Sequence, residues 1–488
     1  MTSLLSADDL NDFIKPSVAC IKPVEEKQRD HVELEIEEVE IEANGEVKKS
    51  GRKLERAQIS LTDCLACSGC ITSSEEVLVA QHSYKEFINF WNENKDFEYV
   101  LSLSQQVRAS LSNAFDIDVK KMDIVLYKLF SEYFNFQYMV SVNLGRRIAY
   151  DAMFKEIENR DVSDKCVMTS ICPGWVLYVE KTHKEILNKL SNVKSPQYIT
   201  GKLIKEVLKK DETKVYNLAI MPCFDKKLEA SRDDVVDCVI TPRELISMIE
   251  EDERIDIDKI IEEVLNEKVD YGDFIRKISP SGWFEEGDCG WGDDLGDASG
   301  GYATNYLMKC QDKFGGEIVE IKGRNEDIVE LQLVVDGEVR RRAGIINGFK
   351  NIQNLVRKLK GDKSKATRRT LVSRRRGRGG VTRDEEVPKR EIDLTECNVV
   401  QVMACPGGCA NGGGQIAVGE EGSSEEWLGQ VLIRYRELPS ETISNEKLLA
   451  WSHRHGLDTH VVSPTRVVSQ QDNNLDEMAD PTQLFSSW

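Results

Sequence analysis

Where the cysteines fall constrains this chain more than any other feature. There are 13, an odd number, most of them in tight groups or directly after apolar runs. Cys64-Leu65-Ala66-Cys67-Ser68-Gly69-Cys70 places three thiols at two-residue intervals. Farther on come Thr169-Ser170-Ile171-Cys172-Pro173-Gly174-Trp175 and Met221-Pro222-Cys223-Phe224-Asp225-Lys226-Lys227-Leu228-Glu229. The last group is Met403-Ala404-Cys405-Pro406-Gly407-Gly408-Cys409-Ala410-Asn411-Gly412-Gly413-Gly414-Gln415. The amino-terminal residues Met1–Asp9 carry neither the basic patch nor the apolar core of a secretory signal, so a cytosolic or nuclear setting is expected. In a reducing compartment, grouped cysteines hold metal or do redox work more often than they form structural disulfides.

The runs before these groups predict what the thiols have in common. Tyr99–Leu103, Lys165–Ser170, Val215–Met221 and Asn398–Met403 are short, apolar and closed by turn signals, and each predicts a buried strand of an α/β sheet. The first leads into a helical stretch at Gln105–Leu111. Val235–Ile240 predicts a fifth strand, followed by a helix whose capping box is Thr241-Pro242-Arg243-Glu244. In open α/β sheets the ligand crevice lies outside the carboxyl ends of the strands. Cys172, Cys223, Cys405 and Cys409, each just past a strand end, are therefore expected to converge there.

Composition narrows the function classes. With 65 basic and 85 acidic residues the 488-residue chain carries a net charge of −20, against the basic surface that phosphate contacts require. No apolar stretch approaches the ~20 residues of a membrane-spanning helix. Three domains are expected: 1–74, with the cysteine triplet and an acidic stretch alternating apolar and acidic positions from His31 to Val47; 75–430, an α/β core; and 431–488, a carboxyl-terminal segment with a flexible acidic tail ending in Trp488. Within the core, Glu285–Gly301 reads as an acidic, glycine-rich loop. Residues 361–387, centred on Arg374-Arg375-Arg376-Gly377-Arg378, read as a basic disordered insertion, with a nuclear-localisation signal as the alternative.

The triplet's spacing suits a loop wrapped round an inorganic core, as in ferredoxin-like segments, with zinc as the alternative guest. The run stops at three, so a cubane would need a remote fourth ligand, and Cys20 is the only cysteine upstream. In the later motifs, glycines permit close backbone approach and present amide N–H groups to an anionic guest.

These motifs, in this order, resemble those around the active site of iron-only (FeFe) hydrogenases. The chain as a whole resembles the iron-only hydrogenase-like, or nuclear prelamin A recognition factor-like, family over roughly residues 10–420. That resemblance implies a two-lobed α/β core with an N-terminal ferredoxin-like segment. It also implies two 4Fe–4S clusters, one on Cys20, Cys64, Cys67 and Cys70 and one on Cys172, Cys223, Cys405 and Cys409. Lys226 matches the family lysine that contacts the ligands of the hydrogenase di-iron unit. Two positions depart from the pattern. Ile171 stands where hydrogenases carry a proton-relaying cysteine, and an aliphatic side chain cannot serve as a general acid. Ile416 replaces the usual proline after the glycine run.

A retained ligand set without the relay implies a non-catalytic component of the cytosolic iron–sulfur protein assembly machinery. Its expected partners are an upstream cluster scaffold and the targeting complex that serves cytosolic and nuclear apoproteins. Docking through Trp488 fits an aromatic on a flexible tail, since it buries much area with few torsions to freeze. An active hydrogenase and a nuclear lamina-binding protein are the alternative readings. Cys166 and Cys238 are expected to be buried hydrophobes. Cys289, Cys310 and Cys397 have no assigned partner, and His453 and His455 are expected at the surface.

Overall fold

The structure, a computed structural model, describes residues 78–457 apart from 162–163, 210–213, 234, 287–288, 295, 324, 362–391, 418–422 and 440–443. Cys20, Cys64, Cys67, Cys70, the acidic stretch, the basic insertion beyond Gly361 and the tail with Trp488 lie outside the described residues.

Nine strands among the described residues make two sheets: β1 (Glu98–Leu103), β2 (Tyr138–Ser141), β3 (Val167–Met168), β4 (Val215–Ile220), β5 (Cys238–Ile240), β6 (Glu317–Lys322), β7 (Ile328–Val335), β8 (Glu338–Asn347) and β9 (Val399–Met403). The first sheet runs β2-β1-β4-β5, parallel throughout. The second runs β3-β9-β8-β7-β6; its first three strands are parallel and the rest form an antiparallel meander. Parallel strands covered on both faces read as continuous apolar runs, and β9 (Val-Val-Gln-Val-Met) is buried at all five positions. At the far edge, β6 (Glu-Ile-Val-Glu-Ile-Lys) is partly open to solvent, with charged residues that blunt an unpaired edge.

Helices cover both sheets. Tyr302–Phe314 packs one face of the second sheet, and Trp175, Val176, Ile352 and Val356 from two other helices pack the opposite face. Helix Pro242–Glu251 opens as expected: the Thr241 side chain accepts from Glu244 N, and the Glu244 carboxylate accepts from Thr241 N at 2.9 Å. Such a box contributes about 1 kcal/mol. Helix Gln105–Phe115, capped by Ser104, starts directly at the end of β1.

Two strand expectations change. The strand expected over Lys165–Ser170 is only Val167–Met168, because Cys166 adopts φ 63° and the Thr169 hydroxyl accepts from Val402 N at 3.1 Å. The strand expected over Val235–Ile240 is Cys238–Ile240, since the Asp237 carboxylate accepts from Asn217 N at 2.8 Å. The segment Glu285–Gly301 reads as a loop in the structure too, among its described residues, but it turns inward: Trp291 is fully buried, and its carbonyl accepts from Arg108 Nη1 at 2.6 Å. Arg108 is itself fully buried, gripping Asp123 through Nε at 2.9 Å and Nη2 at 2.7 Å. Breaking one side of such a pair costs about 3–5 kcal/mol, so the loop rests on a rigid post. Its Asp293 and Asp294 pair with Arg146 and Arg147, which offsets those two carboxylates.

The expected boundary at position 430 falls inside helix Ser424–Arg436, which packs on helix Gln105–Phe115.

Candidate metal centre

The parallel strands of both sheets deliver their carboxyl ends to one place. Past β4 comes Met221-Pro222-Cys223, past β3 Ile171-Cys172, and past β9 Ala404-Cys405 and the turn to Cys409. Side chains from these turns line a single cavity between the sheets, about 750 Å³ of space partly open to solvent, and all four cysteines are among them. Thiols separated by long stretches of sequence thus share one cavity.

Local structure explains how they arrive. Cys172 is the N-cap of helix Pro173–Thr182, so its sulfur sits where orphan amides point; Ala404 N donates to Cys172 Sγ at 3.4 Å. Gly412 and Gly414 carry the third motif onto the second. Gly414 N donates to Pro222 O at 3.0 Å, and a Cβ at Gly412 would meet Pro222 O at 2.3 Å, so only glycine permits the approach. Lys226 holds its Nζ 3.1 Å from Ile171 O and 2.7 Å from Glu229 Oε2, at the cavity wall. Ile171 lines the same cavity.

The electrostatics record the crowding. Burial, reinforced by the neighbouring Asp225 carboxylate and by Cys172 and Cys409, pushes the Cys223 thiol well up. Cys405 is raised the same way by burial, then by Cys409, Cys223 and Cys172. Burial and then Cys172 push Cys409 up to about 12, against the pull of Lys226 and the Ser299 hydroxyl. Burial raises Cys172, opposed by the amides of Ala404 and Trp175. Four thiolates cannot share this space on their own; they need concentrated positive charge among them. Among the described residues no three Cys, His, Asp or Glu side chains are grouped around a single ion position. The four cysteines share the lining of one cavity. The Tyr302 hydroxyl and Gln197 Oε1, both on the cavity wall, are buried without a hydrogen-bond partner. Soft sulfur donors, an adjacent ammonium and unpartnered polar atoms fit an iron–sulfur cluster.

Sequence reading missed part of this wall. Gln105 and Gln106 follow β1, Arg146 reaches in from helix Asn143–Asn159, and Ser299 and Tyr302 come from the acidic loop and the helix after it. A signal existed for one support of this wall: Gln401, fully buried, is a polar residue in the apolar run of β9. Of the unassigned cysteines, Cys166, Cys238, Cys289, Cys310 and Cys397 are buried and none lines this cavity. His453 is exposed and His455 partly so.

Comparison with known proteins agrees with this architecture. Residues 98–413 match the model of the iron only hydrogenase large subunit, C-terminal domain. A protein of Meyerozyma guilliermondii named cytosolic Fe-S cluster assembly factor NAR1 is 39% identical, with 94% of this chain and 95% of that protein covered. A protein of the same name in Saccharomyces cerevisiae is 38% identical over 87% of each. Among solved structures, FeFe-hydrogenase HydA1 of Chlamydomonas reinhardtii superposes with a TM-score of 0.52 at 17% identity, covering 80% of this chain and 95% of that one; at that identity the likeness is one of fold. A domain match over most of the chain and relatives near 40% identity along almost all of it make this chain a member of the iron-only hydrogenase-like family.

Proposed function

We propose that this chain is a component of the cytosolic iron–sulfur protein assembly machinery that holds two 4Fe–4S clusters and helps deliver clusters to cytosolic and nuclear apoproteins. The observation that carries the reading is the shared cavity of Cys172, Cys223, Cys405 and Cys409, with the aliphatic Ile171 at the wall position directly before Cys172. These four thiolates would hold one cluster, and Cys20, Cys64, Cys67 and Cys70 the other. Once bound, a cubane supplies the positive charge that buried thiolates lack, and its binding energy is also folding energy. The inner cluster would then be largely structural, leaving the amino-terminal one as the better candidate for exchange. The names of the relatives support a cytosolic assembly role. An upstream scaffold as donor and the targeting complex as recipient, reached through Trp488, complete the proposal.

Without a proton relay at position 171 the cavity is not expected to turn over hydrogen, although Lys226 stands beside the thiols. Anaerobic iron and acid-labile sulfide analysis with EPR is the test. About eight of each per chain is expected for two cubanes. Four of each would remove one cluster, and zinc without sulfide would defeat the reading. Hydrogen evolution from the reduced protein would revive the hydrogenase alternative.

A further inference from the structure

Tyr302 lines the cavity, and nothing within the fold uses its hydroxyl. The residue is 1% exposed, and its oxygen has no hydrogen-bond partner among the described residues. Everything else about it is fixed. Its N donates to Gln401 Oε1 at 2.6 Å, and Gln401 Nε2 donates to Asp297 Oδ2 at 2.6 Å. One side chain of β9 thus pins the start of helix Tyr302–Phe314 to the turn before it. The Tyr302 ring meets the Tyr150 ring edge to face, with centroids 4.8 Å apart. Gly300, at φ 113°, lets the ring lie close, since a Cβ there would stand 3.0 Å from Tyr302 Cε2. The Tyr150 hydroxyl in turn donates to Gly300 O. A phenylalanine could make all these contacts, and a buried hydroxyl without a partner is costly. The oxygen is therefore explained by what the cavity receives.

The wall's chemistry says what that guest must offer. Its other side-chain amides and its guanidinium are already committed. Gln105 Nε2 donates to Gly292 O at 3.1 Å, Gln106 Nε2 to Ala298 O at 2.9 Å and Gln197 Nε2 to Lys226 O at 3.1 Å. Arg146 Nε donates to Asn143 Oδ1 at 2.9 Å. Gln197 Oε1 is also unpartnered, but it accepts, as thiolate and sulfide sulfurs do. Burial pushes the ionisation of Tyr302 well up, against the pull of Arg146, so the phenol stays a protonated donor.

We propose that Tyr302 is a non-ligating contact of the inner cluster, its hydroxyl donating a hydrogen bond to a cluster sulfur. The inference rests on the reading of Cys172, Cys223, Cys405 and Cys409 as the ligands of that cluster. A hydrogen bond to sulfur withdraws electron density and favours the more negative, reduced cluster. It also gives the buried hydroxyl its missing partner.

The experiment is a redox titration followed by EPR on the full-length, anaerobically reconstituted protein, as wild type, Tyr302→Phe and Tyr306→Phe, with iron analysis and a chelator challenge on each. Tyr306 is the control: it is equally buried, one turn on along the same helix, and does not line the cavity. The signal that Cys409→Ala removes identifies the inner cluster. Tyr302→Phe is expected to fold and keep its iron but to titrate at a more negative potential. Iron should leave it about tenfold faster under chelator, the size of effect typical of outer-shell partners. Tyr306→Phe should match the wild type in both. Wild-type potential and release rate in Tyr302→Phe would overturn the proposal, as would equal shifts in the two variants. Cys409→Ala also separates the two readings: full iron content there defeats the ligand assignment, whereas iron loss there beside a silent Tyr302→Phe defeats the role of the hydroxyl alone.

Discussion

Cys405 and Cys238 are nearly equally buried, both follow the logic of a parallel sheet, and burial raises both thiols, Cys238 to about 12. Their surroundings differ. Cys405 lies past the carboxyl end of β9 among three other thiols and near Asp225. Cys238 lies inside β5, beside Tyr216, with its sulfur 3.7 Å from Ser83 O. Burial therefore does not distinguish the proposed ligand from a packed thiol. Position relative to the strand end does, because only there do turns from several strands meet.

The largest expected effect breaks this comparison outright. Cys405→Ala should lose most of the iron and sulfide of the inner site, together with soluble yield, because metal binding and folding are coupled. Cys238→Ala should leave iron content unchanged and cost about 1–2 kcal/mol in denaturant unfolding, as for a small buried side chain. If the two variants behave alike in iron analysis, the distinction is wrong.

Lys226→Met should come next. Its ammonium is the cation that lowers Cys172, Cys223 and Cys409 together, so its loss should weaken iron retention about tenfold, read as faster release to a chelator with the fold intact by circular dichroism. Unchanged retention would reduce Lys226 to a partner of Glu229.

The smallest effect lies away from the cavity. Burial, then the Lys227 ammonium, holds the His82 imidazole at about 4, below its ordinary 6.5. The unfolded chain takes up that proton first, so the stability contributed by the neutral ring is complete above about pH 6.5 and is lost as the pH falls towards about 4. His82→Gln should flatten the acid side of the stability profile across that window in urea melts. The Lys227 ammonium is itself buried and paired with Glu244, 2.6 Å away. A profile unchanged by His82→Gln would show that the ring is reached by water.

Much of the α/β core was legible because its signals are local. The apolar runs of β1, β4 and β9 announce parallel strands buried on both faces, and Thr241-Pro242-Arg243-Glu244 carries its own helix start. Convergence of the four cysteines followed from a rule about strand ends. The short β3 was not legible, since the left-handed backbone of Cys166 and the bond from Val402 N to Thr169 depend on β9 being alongside. Nor was the inward course of the acidic loop. A run with Asp293, Asp294 and Asp297 looks solvated until Arg146, Arg147 and Gln401 from distant elements are placed against it.

The sequence by itself determined the thiols, the glycines that let their turns close, and the strands that carry them, because periodicity and turn chemistry act over a few residues. Only the tertiary structure decided which groups stand behind those thiols. Lys226 donating to the Ile171 carbonyl, Cys409 N donating to the Ser299 hydroxyl and Gln401 Nε2 donating to the Asp297 carboxylate are contacts between elements far apart in the chain, and their strength comes from a buried setting that exists only once both sheets have packed.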